Sequence, residues 1–277
     1  MYRLPTSILA ATVCTAMAGV GLAAGPTGTV RAEAAVRATT ASSAAQNAAQ
    51  NVFTRMTQAQ RIGQLFMVGG PASGQTSATT STISRYHAGN LILTGRTTTG
   101  ASRVRSLTSA SDAVASTTAT AGVPLFIATD QEGGYVQVLQ GPGFSRMPTA
   151  LAQGTWPDPT LTSEAAVWGR QILQAGVNVN LAPVMDTVSK SFAPHNPPIG
   201  RYNREYGYTS ATVTAKGTAF LRGMRSTGLA MTAKHFPGLG HVDGNTDTTP
   251  RVTDSVTTRS RATSSRSGPR SPQAHSS

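Results

Sequence analysis

The chain has 277 residues, of which 12 % are charged and 39 % are apolar, and its formal net charge at pH 7 is +12. These values suit a compact domain better than a disordered chain. Part of the positive charge lies near the two ends, and residues 51–250 carry 15 cations against 9 acids. A nucleic-acid-binding face normally shows a dense basic stripe interleaved with aromatic side chains. The middle of the sequence has no such stripe, so we expect no nucleic-acid partner.

The N-terminus has the layout of a secretory signal peptide. Arg3 precedes an apolar, Ala-rich run over residues 8–24, and small residues suited to cleavage come after it. The run is too short, and too broken by Thr and Gly, to favour the alternative of a transmembrane anchor. We therefore assign residues 1–36 to a signal peptide and expect a secreted protein with no membrane attachment after cleavage. Residues 37–52 are rich in Ala, Thr, Ser, Gln and Asn, which predicts a flexible linker.

Five short apolar runs come next, and they alternate with segments of helical spacing. The apolar runs are residues 64–70, 89–95, 123–130, 177–186 and 228–236. Segments suited to helices include residues 102–119, 161–176 and 209–228. Short buried strands that alternate with helices predict βαβ units and a parallel sheet.

Two architectures fit this alternation, an open doubly wound sheet and a closed (β/α)8 barrel. A doubly wound nucleotide-binding sheet normally has a glycine-rich phosphate turn after its first strand, and "VGGPASG" at 68–74 lacks that spacing. A barrel places its chemistry at the C-terminal ends of several strands. Here the third run ends in Asp130, the fourth in Asp186, and the fifth in Lys234 and His235. We therefore predict an incomplete (β/α)8 TIM barrel, with about five of its eight strands, over residues 53–258.

The segment "DQEGG" at 130–134 lies at the end of the third run. Asp130 and Glu132 could bind a metal, act as acid and base, or accept hydrogen bonds from sugar hydroxyls, and the two glycines would let the backbone approach a ligand. An ordinary acidic turn is the alternative. Metal ligation is disfavoured because no His or second carboxylate cluster has a ligand-like spacing. We expect neither a metal nor another cofactor.

Two further segments carry candidate residues. "NLAPVMD" at 180–186 is typical of a buried strand, with Asp186 as a cap for the segment after it. "IGRYNREYG" at 199–207 places Arg201 and Arg204 beside tyrosines. A guanidinium among aromatic rings can donate hydrogen bonds to a sugar-ring hydroxyl or to an amide carbonyl. A solvated charged loop is the alternative.

The most specific stretch is "AKHFPGLGHVDGNTD" at 233–247. Lys234 and His235 supply several hydrogen-bond donors suited to a polyhydroxylated substrate. The Pro and Gly residues after them predict a mobile loop that could carry Asp243 or Asp247 over a bound ligand. A carboxylic acid at such a position could protonate a leaving oxygen if burial raised its pKa.

The motifs "DQEGG", "NLAPVMD", "IG…REYG" and "KHFPGLG", in this order, resemble the N-terminal catalytic barrel of family 3 glycoside hydrolases. The resemblance is greatest to the bacterial β-N-acetylglucosaminidases, or β-hexosaminidases, and runs from about Phe53 to Asp254. It implies hydrolysis of terminal β-linked N-acetylglucosamine by a retaining mechanism, in which an aspartate forms a glycosyl-enzyme. It also implies that Asp130, Arg204, Lys234 and His235 bind the carbohydrate substrate.

The sequence departs from the family pattern in the loop. Leu239 stands where most members have the histidine of "GHG", and Asp247 lies near the place of the family's Asp-Ser-His acid/base dyad. Asp247 is therefore the candidate acid/base. The family's nucleophilic aspartate lies on a later strand, so the resemblance implies that the nucleophile is absent from this sequence. We expect the chain as written to be truncated and inactive.

After residue 258 the apolar periodicity ends. Residues 259–277 contain four Arg, two Ala and no larger apolar side chain, which predicts a disordered tail. Translation of G/C-rich codons in a shifted frame would instead give "RDLLALRAAIAAGALL", so an out-of-frame tail is the alternative hypothesis. Two functional alternatives also stay open, a non-catalytic carbohydrate-binding remnant and a β-glucosidase-type specificity.

Overall fold

The computed structural model describes residues 43–257, which form parts of two compact units divided between Thr54 and Arg55. In the first unit the described residues belong to helix α1, which spans residues 43–55. The expected linker is therefore helical from residue 43 onward, because Ala and Gln are strong helix formers. The expected signal peptide at 1–36 and the expected tail at 259–277 lie outside the described residues.

The second unit is built on a five-stranded parallel sheet in the order β1-β2-β3-β6-β7. A two-stranded antiparallel hairpin, β4–β5, comes after β3. The strands are β1 (Met67–Pro71), β2 (Asn90–Thr94), β3 (Phe126–Thr129), β4 (Gln131–Gly133), β5 (Val136–Gln137), β6 (Val179–Asn180) and β7 (Ala230–Met231).

Each new strand of the sheet pairs with the sheet strand that precedes it, so the sheet grows at one edge only. A doubly wound sheet would show a reversal of strand order near its middle, whereas a (β/α)8 barrel shows none. The order therefore confirms the predicted barrel-type architecture, with five consecutive strands in the described residues.

Helices precede the first strand of the sheet and connect the later ones. They are α2 (Gln58–Gly63), α3 (Ser77–Tyr86), α4 (Ala101–Asp112), α5 (Thr117–Thr120), α6 (Ala150–Gln153), α7 (Asp158–Gln174) and α8 (Ser210–Arg225). Five of them begin after a Ser or Thr whose hydroxyl accepts a hydrogen bond from a backbone N–H of the first turn. The helix expected at 102–119 is divided into α4 and α5, because Ser116 caps a second helix there.

The core lies between the sheet and its helices. Its fully buried members include Leu91, Leu93, Ile127, Leu161, Ile172 and Phe220. Helices α7 and α8 approach closely at Gly223, where a Cβ atom would lie 2.2 Å from the backbone oxygen of Thr162. The ring of Phe220 in α8 also packs against Trp168 of α7 and against Tyr206. This packing fixes the segment after β6, which carries Arg204, against α8. Among the described helices, none is long and apolar enough to cross a membrane.

Candidate functional site

Three neighbouring strands carry Asp130, Asp186 and the Lys234–His235 pair near their carboxyl ends, whereas Arg204 and Asp247 lie on the segments that follow. Asp130 directly succeeds β3, and Glu132 lies in β4. Pairing of the fourth and fifth strands of the sheet resumes beyond their short ladder, with a parallel bridge between Val184 and Lys234. This bridge aligns the segment that ends in Asp186 with the Lys234–His235 pair. The carboxyl ends of parallel strands meet at one edge, which brings these side chains together.

Glu132 is the centre of an ion-pair network. Its carboxylate accepts two hydrogen bonds from Arg204, from Nε at 2.9 Å and from Nη2 at 2.8 Å. Lys234 Nζ lies 2.7 Å from Glu132 Oε1 and 2.5 Å from Asp130 Oδ1. Arg204 Nη1 also donates to the backbone oxygen of Pro198 at 2.7 Å. Two cations are thus held by one buried carboxylate and one partly exposed carboxylate.

The network sets the charge of its members. Burial alone would raise the pKa of Glu132, but the hydrogen bonds and positive charges of Arg204 and Lys234 outweigh it and hold that pKa below its ordinary value. Burial lowers the pKa of Arg204, but the hydrogen bonds and negative charge of Glu132 leave it above its ordinary value. Glu132 and Arg204 are therefore both ionised at neutral pH, which suits a site that binds hydroxyl and amide groups.

A second pair orients the histidine. The fully buried carboxylate of Asp186 lies 2.6 Å from His235 Nδ1, and it also accepts from the backbone N–H groups of His235 and Leu239. A hydrogen bond at Nδ1 fixes the ring and leaves Nε2 for a ligand. The interpretation of Asp186 as a local cap is therefore wrong. Asp186 instead binds groups about 50 residues further along the chain.

The loop after His235 is anchored by a buried amide. Asn196 Nδ2 donates to the backbone oxygens of Leu239, at 2.8 Å, and of Val242, at 2.9 Å. At the far end of the loop, Asp247 is exposed, and its backbone N–H donates to Asn245 Oδ1. The loop is thus held at its start, and Asp247 at its far end is exposed.

These elements enclose a cavity of about 310 Å³. Its lining residues are Asp130, Val136, Pro198, Arg204, Lys234, His235, Leu239, Asn245, Thr246 and Asp247. The structure therefore brings all five of the site residues singled out from the sequence to one cavity, at the low end of the volume range of small-ligand sites. Asp243 and Arg201 are not among the lining residues.

Three buried polar residues support the site, and the sequence does not indicate this supporting role for any of them. The sequence presents Glu132 as a possible ligand-binding acid and Asp186 as a strand-end acid that caps the next segment, and it gives no indication for Asn196. A signal exists for Glu132, because a carboxylate two residues after a strand-end aspartate points to the same face. Asn196 lies between "PH" and "PP", where the sequence offers no periodicity that would indicate burial.

Glu205 is a third buried acid among the described residues, next to Arg204 in the sequence. It is fully buried, and neither carboxylate oxygen has a hydrogen-bond partner among the described residues. Burial raises its pKa to about 7, against a smaller opposing effect of its own backbone N–H. A carboxyl group in this condition is protonated in mildly acidic solution and becomes a buried charge as the pH rises.

We expect Glu205→Gln to change the pH dependence of stability. The raised pKa means that the stability Glu205 contributes is fully present below about pH 4.5 and is lost as the pH rises through 7. Glu205→Gln should therefore differ little from the wild type at about pH 4.5 and be more stable by about 2 kcal/mol at about pH 8.5, because relaxation and water penetration reduce the full penalty of the buried charge. Urea unfolding at the two pH values measures this, and an equal stability difference at both would contradict it.

Comparison with known proteins identifies the family to which the fold belongs. Residues 57–263 match the model of the glycosyl hydrolase family 3 N-terminal domain. A solved β-N-acetylhexosaminidase from Beutenbergia cavernae superposes with a TM-score of 0.74 and 48 % identity, and the match covers 75 % of this chain and 62 % of that one.

Curated relatives also carry β-hexosaminidase or β-N-acetylglucosaminidase names. "Beta-hexosaminidase LpqI" from Mycobacterium tuberculosis is 32 % identical over 203 residues, which are 71 % of this chain and 48 % of the relative. A "Beta-N-acetylglucosaminidase/beta-glucosidase" from Cellulomonas fimi is 36 % identical over 143 residues, 51 % of this chain and 24 % of the relative. The chain thus spans about half or less of the length of these relatives.

Proposed function

Since the chain belongs to glycosyl hydrolase family 3, we propose that it carries the sugar-binding part of a β-N-acetylhexosaminidase. Such an enzyme removes terminal β-linked N-acetylglucosamine from a glycan by a retaining mechanism. The observation that supports this most directly is the convergence of Asp130, Arg204, Lys234 and His235 on one polar cavity. The proposal includes secretion, which the N-terminal sequence pattern supports.

The proposed roles are based on the hydrogen-bonding capacity of each group. Asp130 is partly exposed, so its carboxylate can accept from sugar hydroxyls while it remains paired with Lys234. Lys234 and Arg204 present cationic donors, which bind hydroxyl and amide oxygens more strongly than neutral donors do. His235, oriented by Asp186, adds a ring nitrogen at the same cavity.

Hydrolysis requires two further groups. A retaining glycosidase uses a nucleophile and an acid/base about 5 Å apart. Among the carboxylates that line the described cavity, Asp130 is ion-paired and Asp247 lies on the exposed loop. We propose Asp247 as the acid/base, which the loop would have to carry over the sugar. No other carboxylate of the described residues lines the cavity, so none there is assigned as the nucleophile.

The 277-residue chain is therefore expected to bind N-acetylglucosamine without hydrolysing its glycosides. Calorimetric titration should give measurable affinity for N-acetylglucosamine, and Lys234→Ala should weaken it by about tenfold or more, since a hydrogen bond to a charged group is lost. In parallel, no nitrophenol should be released from its β-nitrophenyl glycoside. Absence of sugar binding would overturn the proposal, and turnover would show that the nucleophile lies in this chain.

One observation favours a second specificity. The name of the Cellulomonas fimi relative pairs β-N-acetylglucosaminidase with β-glucosidase. A β-glucosidase-type cavity would bind glucose as tightly as N-acetylglucosamine. Titration of the same protein with glucose distinguishes the two, because a preference for the acetylated sugar requires contacts to the acetamide group.

A further inference from the structure

Two tyrosines form an exposed aromatic pair outside the ion-pair network. The rings of Tyr135 and Tyr202 lie edge to face, with centroids 5.6 Å apart and planes at 64°. Tyr135 is 57 % exposed and Tyr202 is 45 % exposed, so each ring presents a large part of its surface to solvent. Large aromatic side chains are usually more buried than this, and an exposed pair therefore needs an explanation.

The pair lies beside the candidate sugar cavity. Tyr135 is at the turn between β4 and β5 and directly precedes Val136, which lines the cavity. Tyr202 ends a short 3-10 helix two residues before Arg204, which also lines it. The two segments that carry the rings are joined at the cavity by the bidentate Arg204–Glu132 pair.

The backbone of both tyrosines is held in place. On one side, the N–H of Gly134 donates to the oxygen of Met147 at 2.9 Å, and Arg96 donates to the backbone oxygen of Tyr135. On the other side, the N–H of Tyr202 donates to the oxygen of Ile199 at 3.1 Å. Rigid aromatic groups bind with little loss of conformational entropy, because few rotatable bonds need to be ordered.

We propose that Tyr135 and Tyr202 form a stacking platform for a second pyranose ring of the glycan, whose terminal ring occupies the cavity. The proposal rests on the proposed function. The axial C–H groups of a pyranose form an apolar face that packs on an aromatic ring, while its hydroxyls remain solvated or bind the phenol oxygens. A platform at this place would make the protein prefer oligosaccharides to the free monosaccharide.

The test compares two ligands, N-acetylglucosamine and its β-1,4-linked trisaccharide, by calorimetric titration of the full chain. The wild type is expected to bind the trisaccharide more tightly than the monosaccharide. Tyr135→Ala and Tyr202→Ala should each weaken trisaccharide binding by about fivefold to tenfold and leave monosaccharide binding unchanged. Tyr135→Phe keeps the ring and should retain most of the trisaccharide affinity.

The matched control is Tyr86→Ala. Tyr86 is 69 % exposed at the end of α3, and no residue within two positions of it lines the cavity, so its removal should change neither affinity. Equal wild-type affinity for the two ligands, or equal weakening of both by Tyr135→Ala, would overturn the platform alone. If the wild type bound neither sugar, the proposed function and the platform would both be wrong.

Discussion

Replacing Glu132 with alanine is expected to lower the free energy of unfolding by about 3–5 kcal/mol, because it leaves two partly buried cations without their shared partner. Arg204 would lose both of its charge-assisted hydrogen bonds to a side chain, and Lys234 would keep only Asp130. Urea unfolding measures the loss. We also expect sugar binding to disappear, since Arg204 and Lys234 would repel each other and no longer hold their positions.

The matched control for Glu132→Ala is Asp158→Ala. Asp158 also forms an ion pair at short distance, 2.6 Å from Lys216 Nζ, but its side chain is 52 % exposed. Surface ion pairs contribute little, so the loss should stay below about 1 kcal/mol. If the two substitutions had equal effects, the network around Glu132 would be no more important to stability than a surface contact.

The second large effect is expected for Asp186→Ala. This change removes the acceptor for the ring of His235 and for two backbone N–H groups, of His235 and Leu239. A fully buried unsatisfied donor costs about 1–3 kcal/mol, but these three donors are only partly buried and can bind water instead, so we expect a total loss of about 2–4 kcal/mol of stability. His235 would also lose its fixed orientation, and affinity for N-acetylglucosamine should fall by about tenfold or more.

Amide hydrogen exchange separates this loop effect from general destabilisation. Relative to the wild type, Asp186→Ala should accelerate exchange of the Leu239 amide more than exchange of the amides in the core strands β2 and β3. Asp254→Ala is the control, because Asp254 also accepts from backbone N–H groups, of Val256 and Thr257, but in a turn that is not part of the cavity. Uniform acceleration of exchange over the whole chain would argue against a specific anchoring role for Asp186.

The strands of the sheet could be located from the sequence because each is a short apolar run between Gly or Pro residues. The number of residues that pair in each strand could not be predicted from the sequence. The run at 177–186 predicts a strand over all of those positions, yet β6 comprises only Val179–Asn180. Pro183 has no N–H to donate to a ladder, so regular pairing stops before it. The chain then continues irregularly and pairs once more, at Val184 with Lys234.

The cavity residues could be predicted for the same reason, since parallel strands deliver their C-terminal polar groups to one edge. The partners that form hydrogen bonds and ion pairs with those residues could not be predicted. Glu132 and Arg204 are 72 positions apart, and Asp186 and His235 are 49 apart. Over such distances, sequence spacing does not indicate which carboxylate pairs with which cation or imidazole ring. The condition of Glu205 could not be predicted either, because nothing in the sequence indicates that its carboxyl group lacks a partner.

The order of the sheet has a consequence for synthesis on the ribosome. Paired residues are 23 positions apart for β1 and β2 and 51 apart for β6 and β7, and every strand of the sheet adds to the one made before it. A nascent chain emerging from its N-terminus therefore always finds its docking edge already present. Folding can keep pace with translation, one β-α unit at a time, without waiting for a distant segment.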